Sequence, residues 1–209
     1  MEKYKKYIQD PFFSYIMTCW AILGCEFIVY FITQTLHILD IYHYVIMIAF
    51  WMSAFMFMCH KLKKEQGYEI FTINTQPTRE QFTHALVIVA LFVLFTNLLF
   101  GGLKIIQYVK IYTYLEYIVI VLYNICELLL AMMILVLGQH LIERFTNDAS
   151  YMYGGSILAL TWALLYCFVS GFGMGIYMMA MAISVGFIYQ LLRKNAKLTF
   201  ILFILMYLL

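Results

Sequence analysis

The chain has 209 residues, 65% of them hydrophobic and 11% charged, with a mean hydropathy of +0.89 and a formal net charge of +2. A soluble domain of this size cannot hide so much apolar surface, because the outer layer of a globule must be largely polar. The composition therefore excludes a soluble protein, gives no basis for nucleic-acid binding, and predicts an all-α integral membrane protein.

Residues Met1 to Asp10 are short, basic and mildly amphipathic. Pro11 follows where a helix can start, since its missing N–H has no intrahelical partner there. A basic segment ending at proline before an apolar run reads either as an interfacial elbow helix over residues 1–11 or as a plain positive anchor. The first apolar run is too long for a secretory leader and lacks a small-residue cleavage site. The first span is expected over Phe12 to Thr33. Glu26 falls about 21 Å into it. An acid at that depth lines a path, locks two helices, or sits protonated near an interface.

A short turn, Gln34 to Asp40, leads to a second expected span over Ile41 to Cys59. His37 and His43 lie six residues apart across that turn, which is not a helical ligand spacing, so they read as interfacial decoration. The five cysteines (Cys19, Cys25, Cys59, Cys126 and Cys167) sit in or beside apolar runs without metal-ligand spacing and read as small buried hydrophobes.

His60 to Thr83 is the longest polar run of the chain. It carries Lys61, Lys63, Lys64 and Arg79, the acids Glu65, Glu69 and Glu80, and Pro77, one of only two prolines. A polar island between two spans must sit in water or against a protein. It reads as a docking surface for a soluble partner, or else as an ordinary solvated loop.

The third span is expected over His84 to Gly102 and a loop over Leu103 to Tyr112. The fourth span, Thr113 to Leu141, contains Asn124 and Glu127, which share a face three residues apart. They are the best intramembrane polar pair of the chain, placed toward the bundle interior either as interhelical glue or as substrate contacts. A polar loop, Ile142 to Ser150, precedes the fifth span over Tyr151 to Ser170. Gly171 to Gly175 (GFGMG) is read as a tight break, and the sixth span as Ile176 to Leu192. Ala182 and Gly186 in that span have the small-xxx-small spacing of close helix contacts. Leu198 to Leu209 is apolar but short of a bilayer, and is left open between a short helix, a re-entrant piece and an interfacial tail.

With the N-terminus inside, eleven of the thirteen basic residues fall on the cytoplasmic side, and only Lys104 and Lys110 outside. This is a positive-inside distribution for six spans in a plasma membrane.

The segment Glu65-Gln66-Gly67-Tyr68-Glu69 with Pro77-Thr78-Arg79 resembles the one that follows the second span of ABC-2 type transporter permeases. Tyr4 to Phe13 (YKKYIQDPFF) is similar to that family's basic elbow. The resemblance implies a single permease domain over residues 1–209 with a cytoplasmic coupling segment over 60–83. That segment would insert a helix near Lys64 to Phe71 into a separate ATP-binding subunit. Lys64, Glu65, Gly67, Tyr68, Glu69, Pro77 and Arg79 would form the docking site, with Glu65 and Glu69 on one helix face beside an exposed Tyr68. ATP and magnesium would reside on the partner, since no phosphate-binding loop exists in this chain. A second copy or a sister permease would complete the path. The implied cargo is an amphipathic or antimicrobial peptide, a drug or a lipid, with Glu26, Asn124 and Glu127 along the path.

Two other classes compete. An intramembrane glutamate-type protease would use Glu127 with Glu143 and Arg144, and would need intramembrane histidines, of which His140 lies three residues before Glu143. A substrate-capture subunit of a vitamin importer would need a small-molecule site instead of the island.

Overall fold

The computed structural model describes residues 9–36, 40–72 and 75–209, and these form an all-helical bundle without strands. The elements are α1 Pro11–Thr35, α2 Asp40–Gln66, α3 Arg79–Phe100, α4 Lys104–Ile111, α5 Tyr114–Thr146, α6 Tyr153–Val169, α7 Phe172–Leu191 and α8 Ala196–Leu208. Among the described residues, α1, α2, α3, α5 and α7 are long and apolar enough to cross a membrane. The chain is thus a helical, multi-pass membrane-type protein. The fifth expected span is the shorter α6. Its 17 residues rise only about 26 Å, a little less than a hydrocarbon core.

Local chemistry fixes the helix ends. Asp10 Oδ1 accepts from the Phe12 amide at 2.9 Å, so an acid caps α1 with Pro11 in the first helical position. The remainder of the proposed elbow, residues 1–8, lies outside the described residues, as does His37. Thr78 with Gln81 and Thr113 with Glu116 form capping boxes that start α3 and α5. Gly101 ends α3 in the left-handed conformation (φ 71°).

Helix α5 is the axis of the bundle. Of its most apolar stretch 67% is buried, against 22% in each of α1, α2 and α3, whose outer faces carry exposed Phe31, Phe57 and Leu98. Lipid is as apolar as leucine, so helices gather by close packing of small residues. That is what α6 does. A Cβ on Gly154 would meet the Leu135 carbonyl oxygen of α5 at 2.2 Å. A Cβ on Gly186 of α7 would meet the Gly155 Cα at 2.5 Å, and one on Gly155 would lie 3.0 Å from the Ala182 carbonyl oxygen. The Ala182 and Gly186 pair is therefore the seam on which α6 crosses α7.

Several expectations change. The GFGMG stretch breaks the chain only at Gly171 (φ 91°), while Gly173 and Gly175 lie inside α7 and Gly175 faces Cys167. The third loop contains α4. The apolar C-terminal stretch is a helix, α8, packed into the bundle through Thr199, Leu202, Phe203 and Met206. At about 20 Å it is shorter than a hydrocarbon core is thick.

The largest change concerns the polar island. Residues 60–66 are the last two turns of α2, and Gly67 (φ 62°) stops the helix. No separate coupling helix occurs among the described residues of 60–83. Glu65 and Glu69 therefore do not share a helix face.

Candidate functional site

The basic end of the bundle ties the island back onto its own helices. Tyr68 is half-buried, with its ring edge-on to Phe12 at 5.6 Å and against His140 at 4.8 Å. It is not the exposed aromatic that a docking helix would present. Burial, and behind it the charge of Glu143, pushes its hydroxyl pKa up to about 12. Glu65 accepts a hydrogen bond from the Tyr15 hydroxyl at 2.8 Å. Glu69 pairs with Lys63 at 2.6 Å, which holds its carboxyl pKa below the ordinary value. Lys194 reaches Glu143 at 2.6 Å, Arg144 reaches Asp10 at 3.3 Å, and Asn195 donates to the Thr75 carbonyl at 3.1 Å. Lys64, Gly67 and Arg79 are exposed and Pro77 is half-buried. Ile70, between Tyr68 and Phe71, is buried.

The acids expected within the spans meet elsewhere. Glu26 of α1, with Asn124 and Glu127 of α5, lines a cavity of about 640 Å³ at the opposite half of the bundle. Helices α1, α2, α5, α6 and α8 all contribute to its wall. Toward the far end it is bordered by Tyr30, Asp40, Tyr112 and Ser170, where α1, α2, α5 and α6 begin or end.

A carboxyl in this setting needs donors. Tyr123, one residue before Asn124, donates its hydroxyl to Glu26 Oε1. Glu127 Oε1 accepts from Trp162 Nε1 at 2.7 Å and from the Tyr166 hydroxyl at 2.6 Å. Tyr166 in turn lies 3.2 Å from the Tyr207 hydroxyl, so α8 ends as part of the cavity wall.

Trp162 and Tyr166 reach one carboxyl because they are four residues apart on α6. Between them the helix passes out of a π turn, Ala159–Ala163. Such turns recur where a side chain must be re-aimed, and often at functional sites. The wide turn also leaves the Thr161 carbonyl accepting from Trp20 Nε1 of α1 at 3.3 Å.

Asn124 is 4% exposed, and its Nδ2 has no hydrogen-bond partner among the described residues. A buried amide normally finds one, because leaving it unpaired costs about 1–3 kcal/mol.

Of the acids named for a protease, Glu127 and Glu143 lie far apart. Glu127 and Glu143 are sixteen residues apart on one helix, about 24 Å. Glu143 is held by Gln139 and Lys194, and His140 is stacked between Phe12 and Tyr68. Among the described residues no group of three His, Cys, Asp or Glu could hold a metal ion.

Sequence reasoning placed Glu26, Asn124 and Glu127 together in kind but missed their partners Tyr123, Trp162, Tyr166 and Tyr207. The i, i+4 spacing of Trp162 and Tyr166 was visible, yet 19% of the chain is aromatic and such pairs carry little information. No protein-family model matches this chain, and neither a characterised protein nor a solved structure matches it.

Proposed function

We propose that this chain is the membrane subunit of a transport system, and that it takes a small solute into the cavity at Glu26, Asn124 and Glu127. One observation carries the reading: two carboxyl side chains and an unpaired buried amide converge on one space of about 640 Å³ inside a membrane-type bundle. Ionisable groups at such depth normally mark a substrate or ion path, and the volume lies within the ~300–1,000 Å³ of small-molecule sites. A cargo of that size is a small molecule or the end of a peptide, narrower than the amphipathic peptide implied by the permease resemblance. The positive-inside distribution would place the cavity at the outer face of a plasma membrane and the N-terminus in the cytoplasm.

Accessibility to thiol reagents tests this. With the five native cysteines replaced, Asn124→Cys in intact cells is expected to react with a charged, membrane-impermeant methanethiosulfonate, and lipid-facing Leu98→Cys is not. An unreactive Asn124→Cys in a correctly inserted protein would rule out a water-filled, outward-facing cavity.

The ABC-2 permease reading, with an ATPase subunit and a second copy or sister permease, rests on the exposed Lys64 and Arg79 at the basic end. Glu65, Tyr68 and Glu69 are engaged within the chain, so the informative variants are Lys64→Glu and Arg79→Glu. Docking predicts that both abolish co-purification of a soluble ATPase. Retention of the ATPase in both variants would remove docking from these residues.

A further inference from the structure

The lining of the cavity has a consistent chemical bias. Three carboxylic acids, Glu26, Asp40 and Glu127, border it, and no lysine or arginine does among the described residues. Among the described residues, His43 is the one other titratable side chain there besides tyrosines. It is 5% exposed and held 3.4 Å from the Thr33 hydroxyl. Aromatic rings make up much of the remaining wall, from Tyr30 at the rim to Trp162 in the interior.

Acid groups by themselves do not make a site. Here a second observation points to a ligand: Asn124 Nδ2, nearly fully buried on the cavity wall, donates to nothing among the described residues. An amide nitrogen is a donor only, so what satisfies it must bring an acceptor.

We infer that the cavity is a recognition site for a small organic cation carrying a hydrogen-bond acceptor close to its positive centre. This rests on the transport reading above and names the solute class for the same cavity. Ring faces present negative potential and attract ammonium groups, most strongly when both are out of water. The carboxyl groups provide the opposite charge that a cation needs at this depth. Asn124 and Glu127 lie three residues apart on α5, so their side chains start about 5–6 Å from each other. An acceptor two to four bonds from the ammonium centre would meet the Asn124 amide while the charge sits by Glu127. Ammonium alcohols and aryl-ethanolamines have this arrangement, whereas inorganic cations have no acceptor to offer.

The test uses purified full-length protein in nanodiscs and calorimetric titration with matched probes. Choline is paired with neutral 3,3-dimethylbutan-1-ol, and octopamine with neutral 4-(1-hydroxypropyl)phenol; 4-hydroxymandelate is the anion. At least one cation is expected to bind about tenfold or more tighter than its neutral partner. Glu127→Gln is expected to erase that preference. Tyr30→Leu, at a residue 55% exposed on the rim, keeps the fold out of question and is expected to weaken the cation several-fold while sparing the neutral probe.

Equal binding of cation and isostere, or tighter binding of the anion, overturns the inference while leaving a solute site in place. Binding of none of the five probes also overturns it. Asn124→Cys reactivity then decides separately whether the transport reading survives.

Discussion

The indole N–H of Trp162 donates to the carboxyl of Glu127 at 2.7 Å, in a part of the bundle where both residues are nearly fully buried. The bond joins α6 to the central helix across 35 residues of chain, and the Tyr166 hydroxyl shares the same acceptor atom. Glu127→Ala would leave the indole unpaired, while the Tyr166 hydroxyl keeps the Tyr207 hydroxyl at 3.2 Å as an acceptor. A loss of about 1–3 kcal/mol is expected, the cost of one stranded buried group. Glu127→Gln keeps an acceptor oxygen and should lose less than half of that. Thermal unfolding in detergent measures both; equal losses would show that the bonds contribute little.

The glycine seam makes a sharper steric prediction. Gly186→Ala places a methyl 2.5 Å from the Gly155 Cα and 2.8 Å from its nitrogen, so backbone has to move. A loss of about 1–3 kcal/mol or more is expected from such overpacking. Gly24→Ala is the control, since a Cβ there meets nothing within 4 Å. Helix propensity favours alanine by up to about 1 kcal/mol, so this variant should be neutral or more stable. If the two variants unfold at the same temperature, α6 and α7 do not cross where described.

At the basic end, Lys194 and Glu143 are 34% and 17% exposed. Partial exposure screens the pair, so its coupling in a double-mutant cycle of Lys194→Met with Glu143→Gln should be about 1 kcal/mol. A coupling near zero would mean that the α7–α8 turn is held by the Asn195 and Thr75 contacts instead.

Tyr68 gives a pH prediction. Its folded pKa, raised to about 12 mainly by burial, lies above the ordinary tyrosine value of about 10. The unfolded chain therefore loses this proton first. The associated stability is complete below pH ~10 and disappears as pH rises through ~12. Tyr68→Phe should flatten this part of the stability profile relative to the parent protein. An identical alkaline decline in both proteins would show that Tyr68 is solvated.

Much of the membrane architecture was legible because its signals are local. Runs of apolar residues located the long helices, although α2 and α5 run seven and five residues past their expected ends; Pro11 marked the start of α1, and the three-residue spacing of Asn124 and Glu127 put both on the cavity side of α5. The island misled because its composition looks like a helical docking element, whereas the left-handed Gly67 ends α2 and Ile70 turns inward. The length of α6 misled because Tyr151 and Met152 are apolar yet precede its first turn. The cavity itself had no local signature. Glu26 meets Tyr123 across 97 residues, and Glu127 meets Tyr166 across 39.

The amino-acid sequence alone determined that this chain lives in a bilayer, since no water-facing surface could be assembled from so few polar residues. It also determined that the long apolar runs become helices, because backbone groups in lipid must pair within their own segment. Only the tertiary structure decided which helices touch, and so which donors meet the buried acids. The meeting of α6 with α5, and so of Trp162 and Tyr166 with Glu127, goes with glycines that let two backbones approach within a few ångströms, a property of the crossing and not of either helix by itself.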